Sequence, residues 1–434
     1  MVITKDFSTM LLLVIISSLA FVSAKECDTE VDHHKLLLSL NRRLLSSLET
    51  QGGRPNPSVH LALRLSSHHN LAMENNHLNS LKTKLHNDLQ SSLSNSQAVT
   101  GLLALYTLAL KSSCFDLSTV SFSVQGRIET LLMHLKQQME QEKDHMAYSA
   151  GPLTNYYQYS LGVLALCVSS VRVNNHVTNK LIHAAQHEDF RHGDSESVDT
   201  YAMAGMALQC VKNAGFHVHS ATGLNAALAK IKQKLLASRK SGGHIGNEFS
   251  TGLAVQALLA MGSPETEYTP ALEAMRTSVR CNVYHNPMAM SQVLPALNQK
   301  SYLTVKHKQC LSEDDSLVLE PKDPVMELDT ETTVNLTVEV VTFSNKIVPY
   351  YVDVPKGSTL LEALGILRDK TDGFTFETES SLWGPFLSVV NGEQARQSDR
   401  RYWSLSSNGN ALTEGASDFK IKKAQKITIQ NKSY

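Results

Sequence analysis

Four groups of polar residues stand at or near the starts of apolar helical segments, and they carry the chemistry this sequence offers. Thr154, Asn155, Tyr156, Tyr157, Gln158 and Tyr159 precede the apolar run 160–168. Ser195, Glu196, Ser197 and Asp199 open a second group, Asn247 and Ser250 a third, and Ser291 with Gln292 a fourth. Amides and hydroxyls dominate, and Asp199 is the clearest acid. Such groups donate and accept without ionising, which suits recognition of a ligand rich in amides and hydroxyls. An unmatched buried polar group costs about 1–3 kcal/mol. The group from Thr154 therefore reads either as a solvated loop with Thr154 capping the helix, or as the rim of a polar pocket.

An enzyme reading has to use the acids. Glu188, Asp189, Asp194, Glu196 and Asp199 could supply a carboxylate pair for glycoside hydrolysis, so an α/α-toroid hydrolase or lyase using Glu196 and Asp199 is the alternative. Acids gathered in one loop are more often solvated or capping. No Gly-x-Ser-x-Gly marks a serine hydrolase. His183 and His187 lie four apart without a His-Glu-x-x-His pattern or a third ligand, which favours a structural or surface role. The doublets His33-His34 and His68-His69 read as surface residues. Both tryptophans lie late in the chain, in Ser381-Leu-Trp-Gly-Pro385 and Arg401-Tyr-Trp-Ser-Leu405. They read as core and turn, or as a stacking wall for a flat ligand.

The elements that must position these groups are helical from residue 25 to about 311. Gly101-Leu-Leu-Ala-Leu, Gly162-Val-Leu-Ala-Leu, Gly205-Met-Ala-Leu and Gly252-Leu-Ala-Val recur at intervals of about 61, 43 and 47 residues. That spacing fits repeated pairs of helices, one inner and apolar, one outer and amphipathic, with 128–143 and 224–236 as outer candidates. Several such hairpins can close into an α/α toroid, whose inner helices end at a common face. The run 312–333 carries eight acidic residues with Pro321 and Pro324 among them, and reads as an exposed linker. Residues 334–434 then alternate as short strands, with a helix that Ser358 can cap, which reads as a small β-grasp-like α+β module.

Residues 1–24 read as a secretory signal peptide, with a short apolar run ending at Val22-Ser-Ala24. Six cysteines follow: Cys27, Cys114, Cys167, Cys210, Cys281 and Cys310. An even count in an exported chain implies disulfides, with 15 possible pairings. A formal net charge of −1 gives no electrostatic case for nucleic acid or an anionic membrane. Asn335-Leu-Thr337 and Asn431-Lys-Ser433 are glycosylation sequons.

Taken together, these segments resemble the secreted cobalamin carriers of vertebrates, the family of transcobalamin, intrinsic factor and haptocorrin. The specific motifs are the segments 101–110, Thr154-Asn-Tyr-Tyr-Gln-Tyr159, 197–205, Gly246-Asn-Glu-Phe-Ser-Thr251, Ser291-Gln-Val-Leu-Pro295 and 381–385, with transcobalamin nearest. The resemblance implies a six-hairpin α/α barrel joined to a β domain, with cobalamin held between them. It implies the pairings Cys27–Cys281, Cys114–Cys310 and Cys167–Cys210. It implies corrin contacts at Thr154, Gln158, Asp199, Asn247, Ser250 and Gln292, with Asn155, Tyr156 and Tyr157 beside them. From the β domain it implies contacts at Ser381, Leu382, Trp403, Ser404 and Leu405. A non-catalytic, extracellular and monomeric carrier read by a cell-surface uptake receptor is the expectation. Two positions depart from the pattern. Leu102 stands where transcobalamin has Gln, and Ser195 stands where it has a histidine able to reach cobalt. His192, three residues earlier, is the remaining candidate axial ligand.

Overall fold

Apolar residues that surround a helix on every side force it inward, and that rule organises the first 310 residues. The computed structural model describes residues 32–50, 55–95, 98–124, 126–192, 195–319, 333–381, 384–395, 401–412 and 414–433. Six helices form an inner ring: α2 (Pro57–Arg64), α4 (Thr100–Ser112), α6 (Tyr156–Val168), α8 (Val198–Asn213), α10 (Glu248–Ala260) and α12 (Pro287–Leu297). Each packs on the next, and α12 packs back on α2, so the ring closes. In α6 every residue from Tyr159 to Val168 is buried. Six outer helices alternate with them: α1 (His33–Thr50), α3 (Leu71–Asn95), α5 (Leu131–His145), α7 (Asn175–His187), α9 (Ala221–Ala237) and α11 (Glu265–Arg280). Their pattern is amphipathic. In α9 the buried side chains are Leu224, Ala227, Leu228, Ile231 and Leu235, one stripe at helical spacing.

The recurring glycines mark close approach between helices. A Cβ on Gly252 would lie 2.6 Å from the backbone oxygen of Gln292, so α10 and α12 meet backbone to backbone there. Gly162 has the Met139 sulfur where a Cβ would project. Among the described residues, two disulfides brace this half. Cys167–Cys210 joins adjacent inner helices, and Cys114–Cys310 ties the end of α4 to the chain after α12. The pairing expected for Cys27 and the signal peptide lie outside the described residues.

The acidic run corrects one expectation, because its start is anchored to the barrel. The Glu313 side chain is only 7% exposed, with Arg64 and Lys308 each 2.5 Å from its carboxylate. His69 N–H donates to the Asp314 carbonyl, Leu317 N–H to the His69 carbonyl, and Leu71 N–H to the Asp315 carboxylate. His69, read as a surface residue, is only 2% exposed and faces Glu74. His68 keeps a half-exposed contact with Asp314, Nδ1 to carboxylate 2.7 Å. A guanidinium at the end of an inner helix attracts the first acids, so acidity here marks docking as well as solvation. Residues 320–332 lie outside the described set.

A second hydrophobic core, separate from the first, forms from Leu336 to Ile429. Strands β1 to β4 are short hairpins on the barrel: β1 (Ser121–Val124) with β2 (Arg127–Thr130), and β3 (Arg191–His192) with β4 (Ser195–Glu196). Ile128, expected to open an outer helix, therefore belongs to a strand. In the second core, β5 (Thr333–Val341), β6 (Ile347–Pro355), β10 (Arg401–Ser407), β11 (Asn410–Ala411) and β12 (Gln425–Ser433) form one sheet, ordered β11-β10-β12-β5-β6. Only β12 and β5 among these described neighbours run parallel. Helix α13 (Leu360–Lys370) crosses it, capped by Thr359 in a reciprocal bond with Glu362. Ser358, the expected cap, instead donates to the Pro355 carbonyl. A separate three-stranded sheet of β7 (Phe376–Ser381), β8 (Gly384–Val390) and β9 (Glu393–Gln394) completes the module.

Candidate functional site

Because inner and outer helices alternate around a closed ring, the inner helices run in one direction and their N-termini share one rim. Most of these N-termini are closed by a side chain. Asn56, Asn155, Ser197, Asn247 and Asn286 each accept a backbone N–H from the first turn of α2, α6, α8, α10 and α12. Asn155, not Thr154, is thus the cap of α6. Val99 gives α4 no such bond. Neighbours supply it instead: Gln138 accepts from Val99 N–H at 3.2 Å, and Gln158 from Gly101 N–H at 3.2 Å.

Thr154 is committed inward. Its N–H and hydroxyl donate to Glu142 at 2.9 and 2.6 Å, and the Thr100 hydroxyl donates to the same carboxylate at 2.8 Å. Burial raises the pKa of Glu142, opposed by these bonds. Sequence reasoning missed Glu142 and Gln138, because both sit in a charged outer helix that reads as a solvated face. Together they knit the entries of α4 and α6 into one wall.

The groups that remain at the rim converge around Asp199. Ser250 is buried beside it and hydrogen-bonds its carboxyl, while burial pushes the Asp199 pKa up. Its Oδ1 is enclosed and has no hydrogen-bond partner among the described residues. Tyr157 lies close enough to feel the charge of Asp199 and the hydroxyl of Tyr302, in the 3-10 turn 302–307. Gln256 donates to the backbone oxygen of Gln292 at 3.0 Å, which ties α10 to the middle of α12. Tyr156 packs edge-on against Phe190, 5.4 Å between centroids. Tyr159 turns outward from the rim and gives its hydroxyl to the Val177 carbonyl at 2.8 Å.

The arrangement lends the hydrolase reading no support. Glu188 and Glu196 both bind Lys234, at 2.5 and 2.6 Å, and Glu188 also pairs with Lys230. The lysine hydrogen bonds pull Glu188 down to about 2, so it holds no proton to donate. Asp189 is exposed and Asp194 lies outside the described residues. His183 and His187 stack at 4.0 Å on the exposed face of α7, and no cluster of three metal-ligating side chains occurs among the described residues.

In the second core, Trp403 is 7% exposed and packed among Leu336, Val338 and Ile429, with its Nε1 enclosed and unpartnered. Core packing rather than an open stacking wall describes it. Ser404 and Leu405 are half-buried on the same strand. Ser381 ends β7 opposite Gly384, and Leu382 lies outside the described residues.

The comparisons with known proteins decide the family. The family model described as eukaryotic cobalamin-binding protein matches residues 9–331. The chain belongs to that family. A domain of unknown function matches residues 357–433. Among relatives of this cobalamin-binding family, transcobalamin-2 of Bos taurus is 34% identical over 420 residues, spanning 93% of this chain and 94% of its own. Transcobalamin-2 of Homo sapiens is 32% identical over 421 residues, spanning 92% and 93%. The crystal structure of haptocorrin in complex with Cbi superposes with a TM-score of 0.74 at 26% identity, covering 93% of this chain and 98% of that one.

Proposed function

We propose that this chain is a secreted, non-catalytic carrier that binds cobalamin at the N-terminal rim of the α/α barrel, beneath the β module. One observation carries the reading. The enclosed, unpartnered Asp199 oxygen stands among Ser250, Tyr157 and the head of α6, in a chain that aligns with transcobalamins along more than nine-tenths of its length. Cobalamin carries peripheral amides, and a carboxylate oxygen that lacks a donor matches an amide N–H. Gln158, Asn247, Ser250 and Gln292 supply further amide and hydroxyl partners, and Ser381, Leu382 and Ser404 are the contacts assigned to the β module, Leu405 lying on the core-facing side of β10 with Trp403. Thr154 acts through Glu142 as part of the wall. An analogue lacking a matched amide leaves Asp199 or Gln292 unpaired, which is the basis of selectivity. Extracellular release through the leader 1–24, a monomeric state and a cell-surface uptake receptor complete the proposal. Among the described residues no helix is long and apolar enough to cross a membrane. Calorimetric titration of the full chain with aquocobalamin should saturate at one equivalent, and a titration without saturable heat would sink the reading.

Cobalt ligation belongs to the hairpin β3–β4. Its register sets residue 192 opposite Ser195, so the two backbone positions share one rung. On that ground His192 is the candidate axial donor. The visible spectrum of the loaded protein should shift towards the water-ligated form in His192→Ala. Identical spectra for both chains would remove His192 from the site.

The two sequons differ in kind. Asn335 is exposed on β5, bonded only across the strand pair to Asp353 among its described contacts. Asn431 is 3% exposed and donates its amide nitrogen to Glu393 at 2.6 Å, the atom a glycan would occupy. We therefore expect Asn335→Gln to lower the mass of the secreted protein by one glycan. Asn431→Gln should leave the mass unchanged; a glycan-sized loss there would contradict the burial argument.

A further inference from the structure

The loop between α11 and α12 ends at Asn286, the cap of a rim helix, and His285 immediately before it faces the second core. Its Nε2 lies 2.9 Å from Glu414 Oε2, and its Nδ1 lies 2.9 Å from the Val283 carbonyl oxygen. Asp418, half-buried and four residues beyond Glu414, lies close enough to feel this ring. Burial pushes its carboxyl up, the Ser417 hydroxyl draws it down, Glu414 raises it and His285 opposes that. Glu414 by contact and Asp418 by its charge act on His285 from the β module.

Both ring nitrogens thus face atoms that accept. A carbonyl oxygen has no proton to give, so Nδ1 must carry one. The bond between Nε2 and Oε2 needs a second, held by the ring or by the carboxyl. In either arrangement the contact contains one proton more than a neutral imidazole apart from a carboxylate. We infer that His285 and Glu414 form a proton-requiring clasp that holds the β module against the barrel rim. Closing takes up one proton, so the closed form gains as the pH falls from about 8 to about 6, the range in which histidines ordinarily change charge. The inference rests on the proposed function in that the clasp shuts over the cargo.

The test uses the full chain and the variants His285→Ala, Glu414→Gln and His285→Lys. Small-angle scattering without cargo reads the contact itself. Wild type should be more compact at about pH 6 than at about pH 8. His285→Ala and Glu414→Gln should be equally expanded at both values, whereas His285→Lys, which brings its own proton, should be compact at both. With aquocobalamin bound, release at about pH 6 should be about two- to fivefold faster from the first two variants, in keeping with a partly exposed ion pair. A common pH response in all four chains would overturn the clasp, whatever the release rates. The expected scattering pattern without any retained aquocobalamin would support the clasp and overturn the cargo reading instead.

Discussion

Arg64→Ala lowers the stability of the folded chain by about 3–5 kcal/mol, the usual cost of stranding buried partners of a removed charge. The guanidinium sits at the end of α2 and binds Glu74 at 2.7 Å and Glu313 at 2.5 Å, all three side chains being nearly inaccessible. Burial alone would raise Glu313, but the bonds from Arg64 and Lys308 outweigh it and leave its pKa below the ordinary 4.5. A depressed carboxyl stabilises the fold above the unfolded-state value, and that contribution disappears as the pH falls through the folded-state value. Wild type should therefore weaken on acidification. Without the guanidinium Glu313 keeps only Lys308 against its burial, so the variant is hurt most near neutral pH, and the gap between the two chains narrows towards about pH 4. Urea unfolding at both ends of that range checks this. A gap under about 1 kcal/mol at neutral pH would show that the anchored acidic segment contributes little.

Asp199→Asn weakens cobalamin binding by about ten- to a hundredfold, from the loss of a charge-assisted hydrogen bond of about 1.5–3 kcal/mol. The free protein responds in the opposite sense. Burial raises the Asp199 pKa above the ordinary 3.8 despite the Ser250 bond. A raised carboxyl binds its proton more tightly folded than unfolded, so wild-type stability declines as the pH rises from that ordinary value through the folded one. The amide removes this decline, and the variant should be at least as stable as wild type at neutral pH. Weaker binding together with a lower melting temperature would assign Asp199 a structural role instead.

The sequence carried the inner helices openly, because a helix buried on all sides must be apolar all round and must thin to glycine where backbones meet. Gly252 against Gln292 is the plainest instance. The two short inner helices lack that glycine motif, yet each announces itself by Asn-Pro, a cap followed by a ready-made first turn, at Asn56-Pro57 and Asn286-Pro287. Other features were illegible for a physical reason. Glu142 lies among charged neighbours on an outer helix, and only the folded chain reveals that Thr100 and Thr154 close over it. The acids at 313–315 look solvated until Arg64, Lys308 and His68 are brought beside them. Asn431 falls in phase with Ile427 and Ile429 on the buried face of β12, but its polar partner Glu393 on β9 of the second sheet is visible only in the folded chain. Helical periodicity and caps are local signals, whereas long-range ion pairs and hydrogen bonds are not.

The most direct measurement of the central claim is the visible spectrum of the full chain after incubation with aquocobalamin and removal of free ligand by desalting. Corrin absorption should stay with the protein at one equivalent and fall in Asp199→Asn. Protein that emerges colourless, while folded by circular dichroism, would contradict the assignment of this rim as a cobalamin site.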